Sequence, residues 1–462
     1  MKVNTMIRSL KTTRYALLLL PFFQLSYANL TVETAKTIQG TLPGLSDELE
    51  NDLKNDGELK QFFGLNVNGI NYYGQESISN MPVPTIYPFY NQITPAKIRQ
   101  PDNTEYFDRD GDEFDYMIAD PGVNMVWLYT NSRNEEVEFY PRSSDTFCDL
   151  AEEKKYAPFK VKLSADLVLF SKYGDPDYKT YPNNDITNQP SATFTVLEDV
   201  GVCYAKPELD PNDIGDGGRY QFDRKHGFRT QSNVDPTKNF PTTGFYGARF
   251  ELILSKNAVY QDYDWYVKQG NELVYIEKDK KSIPSVVFKG ASASDPKKAW
   301  DLVMGSSKGY LVIIEGKNKK TNKTFQYSFT ITKWFEPWRP IEIDEKPGTE
   351  KGTVEEVASA CASKEGHYRL AHAEDMSNAV LNAKGEGQFS REIGKLISEW
   401  GDANQKTYPG SFAPGKKGSY RYFYVWDPTE GDYCDIHLNN GVYHCRDREK
   451  ERKNGVCAAY RP

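Results

Sequence analysis

The sequence lacks long hydrophobic runs, and this shortage excludes several classes of protein. Of its 462 residues, only residues 15–23 form an apolar run, which is shorter than the roughly 20 residues that cross a bilayer. A polytopic membrane protein is therefore excluded. No collagen repeat and no sustained heptad is present. The 57 Lys and Arg against 65 Asp and Glu leave a net charge of −8, which disfavours a nucleic-acid-binding surface.

The motifs of two common kinds of catalytic centre are also missing. The chain contains no His-Glu-x-x-His and no phosphate-binding loop. Its six cysteines never form a close pair such as Cys-x-x-Cys, which disfavours zinc. We therefore predict no catalytic residues and no cofactor, and we do not expect an enzyme. Paired carboxylates are too common here to be informative, so an extracellular glycosidase stays an alternative.

The residue types that are abundant in the chain favour β-structure. Aromatic residues make up 13% of the chain, including 31 Tyr, and 34 Gly and 26 Pro provide turns. This composition favours strands joined by turns. The length predicts roughly three or four domains.

The first 28 residues have the pattern of a secretory signal peptide. Four basic residues precede the apolar run, and Ser26 and Ala28 place small residues before a cut at Asn29. An uncleaved membrane anchor is the alternative interpretation. We expect a secreted or cell-surface protein without membrane insertion.

The six cysteines of an exported chain predict disulfides. Two cysteines lie in the middle of the chain and four near its end, so pairs within each group are favoured. The predicted pairs are Cys148–Cys203, Cys361–Cys457 and Cys434–Cys445. The last pair flanks Asn439-Asn440-Gly441, a hairpin signal that places two strands side by side.

Strand and helix patterns divide the mature chain into four regions. The regions are a small β-rich segment at residues 29–105, a β-sandwich at 106–240, an Ig-like sandwich at 241–335 and a terminal unit at 350–462. Short, regularly spaced strands without long helices are typical of Ig-like sandwiches, and Trp265 is predicted to be a core anchor. A proline-rich linker precedes the terminal unit. That unit shows helical spacing at 354–361 and 376–383 before its strands, which predicts an α+β domain.

One acidic loop has the spacing of a cation site. Asp108, Asp110 and Asp112 alternate, and carboxylates spaced in this way can wrap a calcium ion. Glu113 and Ala119 stand where an EF-hand needs Gly and Glu, so the loop is not an EF-hand. The two interpretations are a structural calcium site and a solvated acidic loop.

A dense aromatic stretch near the C-terminus is the candidate for receptor binding. It contains Tyr420, Tyr422, Phe423, Tyr424 and Trp426, and the predicted receptor-binding residues are Tyr420, Tyr422, Tyr424 and Trp426. Alternate residues of a strand face opposite sides, so one set of side chains in this stretch belongs to the core. The other set is the usual material of binding hot spots.

A family resemblance rests on motifs of the second sandwich and the terminal unit. These motifs are Phe240-Pro241-Thr242-Thr243-Gly244-Phe245, Tyr263-Asp264-Trp265, Lys333-Trp334-Phe335, Trp400-Gly401 and the pair Cys361 and Cys457. In this order the chain resembles the extracellular C-terminal part of the intimin/invasin family of bacterial adhesins, over about residues 106–462. The resemblance implies a mostly β multidomain fold, in which tandem Ig-like sandwiches are followed by a C-type-lectin-like domain at residues 350–462.

The chain also departs from that family. No outer-membrane barrel region follows the signal peptide, so the chain is similar to the soluble passengers that a separate intimin-like barrel exports. Residues 350–462 contain neither Glu-Pro-Asn nor Gln-Pro-Asp, which disfavours the calcium-dependent sugar site of true C-type lectins. The extra pair of Cys434 and Cys445 either pre-organises a binding edge or staples a small core.

Three functions follow from these observations. The first is an exported bacterial adhesin or effector, with a role in virulence, whose Ig-like plus lectin-like tip binds a host-cell or extracellular receptor, either protein or glycan. The second is a passenger whose main partner is its own outer-membrane secretion barrel or a cell-envelope polymer. The third is the extracellular hydrolase.

Overall fold

The structure is a computed structural model in which antiparallel sheets dominate. It describes residues 40–74, 83–84, 86, 92–209, 216–217, 220–255, 258–289, 295–346, 348–379, 389–415, 422–438, 440–445 and 451–462. The prediction of a mostly β protein is confirmed. The predicted signal peptide and Tyr420 lie outside the described residues.

The first unit is a sandwich of two sheets. Its main strands are β7 (Phe114–Ala119), β8 (Asn124–Thr130), β9 (Glu136–Phe139), β10 (Phe159–Ser164), β11 (Leu167–Ser171), β12 (Tyr178–Tyr181) and β13 (Ser191–Val196). One sheet has the order β13-β10-β8-β9 and the other β12-β11-β7. Because side chains alternate along each strand, Trp127, Phe159 and Leu167 from the two sheets meet in one core while Lys162 faces solvent. Helix α2 (Phe147–Glu152) begins at a capping box formed by Thr146 and Asp149.

The N-terminal segment belongs to this same core. Its elements are β1 (Gly44–Leu45), α1 (Asp47–Asn55), β2 (Gly64–Val67), β3 (Ile70–Tyr73), β4 (Val83–Pro84), β5 (Ile93–Pro95) and β6 (Tyr106–Phe107), and β4 pairs with β14 (Glu198–Asp199). Leu49 and Leu53 form the apolar stripe of α1 and pack with Phe62 and Phe159. A short helix with one apolar stripe needs an external surface to cover. The described part of residues 29–105 therefore shares the core of the first sandwich, and the predicted boundary at 105/106 does not separate two cores.

The second unit is also a two-sheet sandwich. Its elements are β15 (Val202–Pro207), β16 (Asp216–Gly217), β17 (Phe222–Asp223), β18 (Gly227–Arg229), β19 (Thr243–Phe245), β20 (Arg249–Leu254), β21 (Tyr263–Gln269), β22 (Val274–Lys278), β23 (Pro284–Phe288), α3 (Pro296–Met304), β24 (Tyr310–Asn318), β25 (Thr324–Ile331) and β26 (Lys333–Pro337). Sheet β17-β18-β15-β20-β23-β22 faces sheet β21-β24-β25 across one core. Trp265 is buried in that core, as predicted.

The boundary between the sandwiches lies earlier than the predicted position at 240/241. Strand β15 pairs with β20, and Phe222, Phe228 and Phe240 belong to the second core. The first core ends at Val196 and the second begins at Val202. Strand patterns alone do not show which core a strand joins, because pairing partners are distant in sequence.

The terminal unit combines short helices with a seven-stranded sheet. Its elements are α4 (Val354–Ala362), β27 (Tyr368–Leu370), α5 (Ala373–Met376), β28 (Ser390–Arg391), α6 (Leu396–Trp400), β29 (Tyr422–Asp427), β30 (Asp432–His437), β31 (Tyr443–Cys445) and β32 (Asn454–Ala459). The sheet order is β19-β26-β32-β29-β30-β31, with β27 also paired to β32. Helix α4 confirms the predicted helix at 354–361. The helix predicted at 376–383 is wrong at its start, since α5 ends at Met376, and residues 380–383 lie outside the described residues.

Strands β19 and β26 connect the terminal unit to the second sandwich. Both precede residue 350, yet both are members of the terminal sheet. In the register of β26 and β32, Glu336 lies opposite Cys457. The terminal unit is therefore continuous with the second sandwich rather than attached by the predicted linker alone.

Three disulfides cross-link the structure in the predicted pairs. Cys148–Cys203 joins the two sandwiches, Cys361–Cys457 joins α4 to β32, and Cys434–Cys445 joins β30 to β31. Bonds of this kind form and persist in oxidising compartments. In the described part of the chain, no helix has the length and apolar character needed to cross a membrane.

Candidate functional site

Strand β29 carries most of the predicted receptor-binding residues. Phe423 and Val425 point into the core. Tyr422, Tyr424 and Trp426 alternate with them and therefore share the opposite face of the sheet. The structure thus brings these three predicted residues onto one face.

Tyr424 is not available on that face. It is fully buried in a small cluster with Val357 of α4 and Leu370 of β27. Its hydroxyl donates a hydrogen bond to the Glu451 carbonyl oxygen at 2.5 Å. The prediction that Tyr424 contacts a receptor is corrected, because the helix covers this position. Strand alternation alone could not show which side α4 would cover.

Tyr422 and Trp426 are half-buried and each pairs with a ring of β30. The ring centroids of Tyr422 and His437 lie 4.8 Å apart, and those of Trp426 and Tyr433 lie 4.9 Å apart. Both pairs are directly opposite in the antiparallel register. We call Tyr422, Trp426, Tyr433 and His437 the terminal aromatic face. Edge-to-face contacts of this type orient rings as well as bury them.

A buried ion pair lies at the centre of this face. Lys453 pairs with Asp435, which occupies β30 between Tyr433 and His437, and both side chains are less than a tenth exposed. The Lys453 ammonium also lies 2.7 Å from Glu451 and 5.4 Å from the Tyr422 ring centroid. Breaking a buried pair leaves an uncompensated charge, so loss of either partner is strongly destabilising.

The Cys434–Cys445 disulfide closes the outer side of the sheet. The two cysteines lie directly opposite one another in β30 and β31. The Asp427 carboxylate approaches both sulfurs, but the sulfurs are bonded to each other and are not thiolate ligands. The disulfide therefore braces β30, the strand that carries Tyr433 and His437.

The predicted calcium loop is not assembled into a cation site. The Asp110 carboxylate accepts a hydrogen bond from the Thr41 hydroxyl at 2.8 Å, and hydrogen bonds from Thr41 lower the pKa of Asp110. Asp108 instead accepts hydrogen bonds from the backbone amides of Asp110 and Asp112, at 2.8 and 3.3 Å. Across the described ranges, the only three-member group of His, Cys, Asp or Glu with mutually close ligand atoms is Asp427, Cys434 and Cys445. Asp110 and Asp108 thus accept hydrogen bonds from Thr41 and from the loop's own backbone amides.

The Phe-Pro-Thr-Thr-Gly-Phe motif anchors the terminal unit. Thr242 and Thr243 donate backbone and hydroxyl hydrogen bonds to Glu399 of α6, a fully buried carboxylate that also accepts the Gly394 amide at 2.9 Å. Burial raises the pKa of Glu399, and the hydrogen bonds oppose that rise. The adjacent Trp400 indole donates to the Thr243 hydroxyl at 3.0 Å. Sequence reasoning missed Glu399, although a single acidic residue in the apolar segment Leu396–Trp400 was the signal.

A second contact region joins the two sandwiches around Cys148–Cys203. Arg229 of β18 pairs with Asp149 of α2, which also caps that helix. His226 lies between two carboxylates, 2.8 Å from Asp223 and 3.4 Å from Glu152. These contacts hold α2 of the first sandwich against the second.

The cleft beside this junction contains unused hydrogen-bonding groups. It has a volume of about 280 Å³. The hydroxyls of Tyr204 and Ser255 line it, and both are buried without a hydrogen-bond partner among the described residues. Burial raises the pKa of Tyr204 well above its ordinary value. The sequence contained no signal for this cleft, because its walls come from both sandwiches.

No protein-family model matches the chain, and no curated protein sequence matches it. Similar solved structures include extracellular cadherin domains 1–4 of protocadherin gamma B7, with 12% identity over 54% of this chain and 47% of that one, at a TM-score of 0.14. The human desmocollin-1 ectodomain is 8% identical over 77% of this chain and 51% of its own, at a TM-score of 0.15. The titin A168–A169 fragment is 12% identical over 48% of this chain and 96% of its own, at a TM-score of 0.12. The chain spans about half the length of the two cadherin-type structures, and TM-scores this low do not identify a fold.

Proposed function

We propose that the chain is an exported adhesin or effector that binds a partner outside the cell through the terminal aromatic face. The observation that carries this proposal is the placement of two half-buried aromatic pairs, Tyr422 with His437 and Trp426 with Tyr433, on either side of the buried Asp435–Lys453 pair. A few residues supply most of the binding energy at protein interfaces, and Trp and Tyr are enriched among them.

Pre-organisation supports the same proposal. The Cys434–Cys445 disulfide braces β30 and β31, and Glu399 ties the unit to the second sandwich. A surface that is already ordered loses less conformational entropy when it binds. The rings of the terminal aromatic face therefore start close to their bound arrangement.

The identity of the terminal unit and of its partner are further parts of the proposal. The resemblance to the intimin/invasin family favours a C-type-lectin-like unit on an Ig-like sandwich, and the combination of α4 to α6 with one sheet is compatible with it. The partner is then a host-cell surface receptor, protein or glycan.

The test uses the whole chain, because β19 and β26 belong to both units and a truncation before residue 350 would open their shared core. We expect Tyr422→Ala with Trp426→Ala to lower binding to cultured epithelial cells at least about tenfold, as loss of two hot-spot rings does. The matched control is Tyr266→Ala, since Tyr266 is 50% exposed and lies on β21 of the second sandwich. Flow cytometry with labelled protein measures binding, and circular dichroism verifies folding. Equal binding by the folded double variant and the wild type would remove the proposal.

A further inference from the structure

The first sandwich carries an apolar surface far in sequence from the terminal unit. On the outer side of sheet β12-β11-β7, Tyr116, Ile118 and Tyr178 are 43%, 42% and 49% exposed. Val168 and Phe170 lie between them and are half-buried. We call these five residues the outer patch. Their strand neighbours, including Met117 and Leu169, point inward to the core, so the patch is the sheet's solvent face.

The outer patch is continuous across three strands. Phe170 of β11 lies opposite Tyr116 of β7 and Tyr178 of β12, and Val168 lies opposite Ile118. The Tyr116 and Phe170 rings are stacked with centroids 4.5 Å apart, and the Phe170 and Tyr178 centroids are 5.9 Å apart. Contiguous apolar surface of this kind marks interaction sites more often than scattered exposed residues do.

Exposed carboxylates stand at both ends of this surface. Asp115 and Asp177 lie at one end. Asp120 and Asp166 lie at the other, where the Asp120 amide donates to the Asp166 carbonyl oxygen at 3.0 Å. The cationic side chains of these strands already form ion pairs with other carboxylates.

Two lysines are the only cationic residues in β7, β11, β12 and the loop between β11 and β12. Lys172 is 2.6 Å from Glu113, and Lys179 pairs with Glu50. The rim of the outer patch is therefore acidic.

We infer that the outer patch docks a basic amphipathic polypeptide segment of a partner protein, in which lysine or arginine alternates with apolar residues. The apolar side chains would cover the ring row, and the cations would meet the carboxylates at the two ends. A second copy of the same face is disfavoured, because it would place carboxylates against carboxylates. This surface is independent of the terminal aromatic face.

The probe is a fluorescently labelled synthetic peptide of alternating lysine and leucine, titrated with the full chain and followed by anisotropy. The matched peptide alternates glutamate and leucine. We expect the lysine peptide to bind at least about tenfold more tightly at low salt, and to weaken as salt rises, because charge complementarity is screened. Equal binding of the two peptides would overturn the inference.

Two variants of the outer patch test whether the lysine peptide binds there. Ile118→Lys should weaken binding of the lysine peptide about tenfold by setting a charge in the centre of the patch, and Tyr116→Ser should weaken it about threefold by removing one ring. Tyr266→Ser is the control and should bind like the wild type. Both test positions are exposed, and thermal melts verify that the variants fold. If neither variant weakens binding, or if the control weakens it equally, the peptide binds elsewhere and the inference is wrong.

Sedimentation at increasing protein concentration tests the competing occupant. We expect no self-association that depends on the outer patch. A dimer that Ile118→Lys abolishes would show that a second copy covers this surface, which also overturns the inference.

Discussion

Glu399 and Thr243 are 156 residues apart in the sequence and are joined by two hydrogen bonds in the buried interior. The Thr243 amide lies 2.9 Å from one carboxylate oxygen, and the Thr243 hydroxyl lies 2.5 Å from the same oxygen. Thr242 makes the equivalent pair of contacts to the other oxygen, at 2.9 and 2.7 Å. Thr242 and Thr243 of the Phe-Pro-Thr-Thr-Gly-Phe motif therefore bind both oxygens of one carboxylate of the terminal unit.

Removing that carboxylate should destabilise the protein. Glu399→Ala leaves several buried donors without an acceptor, and we expect the free energy of unfolding to fall by about 3 kcal/mol or more. Urea denaturation followed by tryptophan fluorescence measures the change. Glu355→Ala is the matched control, because Glu355 is an exposed residue of α4, and its effect should stay within about 0.5 kcal/mol. A similar loss in both variants would contradict the buried anchor.

The free energy of unfolding should depend on pH because of Glu336. Burial raises its pKa to about 7, although the hydrogen bond from the Trp334 indole and the charge of Lys364 oppose this rise. The folded state therefore keeps a proton that the unfolded state loses, and stability falls as pH rises from about 4.5 to about 7. The group contributes at most about 3 kcal/mol to this fall.

Glu336→Gln tests this pH dependence. The amide does not titrate, so the fall in stability between pH 5 and pH 8 should be smaller in this variant than in the wild type. Urea denaturation at both pH values measures the difference. Because Glu399 titrates in both proteins, the comparison isolates Glu336. Identical pH profiles would show that Glu336 keeps an ordinary pKa.

The terminal disulfide should matter for binding more than the disulfide between the sandwiches. Replacing Cys434 and Cys445 by Ser should lower the free energy of unfolding by about 2 kcal/mol and weaken cell binding, because β30, which carries Tyr433 and His437, loses its covalent link to β31. Replacing Cys148 and Cys203 by Ser is the matched control. It should destabilise the protein without changing cell binding. Equal loss of binding in both variants would argue against the terminal face.

Arg229 and Asp149 form an ion pair at the junction, but removing Asp149 should lower the free energy of unfolding more than removing Arg229. Both side chains are partly exposed, so Arg229→Ala should cost about 1 kcal/mol of unfolding free energy. Asp149→Ala should cost about 1 kcal/mol more, because Asp149 also completes the capping box of α2. Urea denaturation of both single variants and the double variant measures the coupling. Equal effects of the two single variants would contradict the double role of Asp149.

Local patterns predicted the features that depend on near neighbours in sequence. Alternation along strands identified Trp265 as a core residue and separated Phe423 from Tyr422. Helical spacing identified α4, and the turn signal at residues 439–441 predicted the Cys434–Cys445 pair. These features follow from chain geometry that any packing must respect.

Features that depend on distant partners were not predictable in this way. Leu49 and Leu53 show that α1 has an apolar side, but nothing local shows that the side covers the first sandwich. Tyr424 lies on the same face of its strand as the half-buried Tyr422 and Trp426, but α4 covers it completely. The acidic loop has the spacing of a calcium site, but in the structure Thr41 donates a hydrogen bond to one of its carboxylates.

By itself, the sequence determined that this is a disulfide-linked, mostly β chain with an aromatic strand near its end. Composition, alternation and cysteine number settle these points because they depend on short-range chemistry. Only the tertiary structure decided where the cores divide, which aromatic side chains stay accessible, and that Glu399 holds the two units together. Those outcomes depend on which surfaces meet when residues far apart in the chain are packed, and packing is a property of the whole fold.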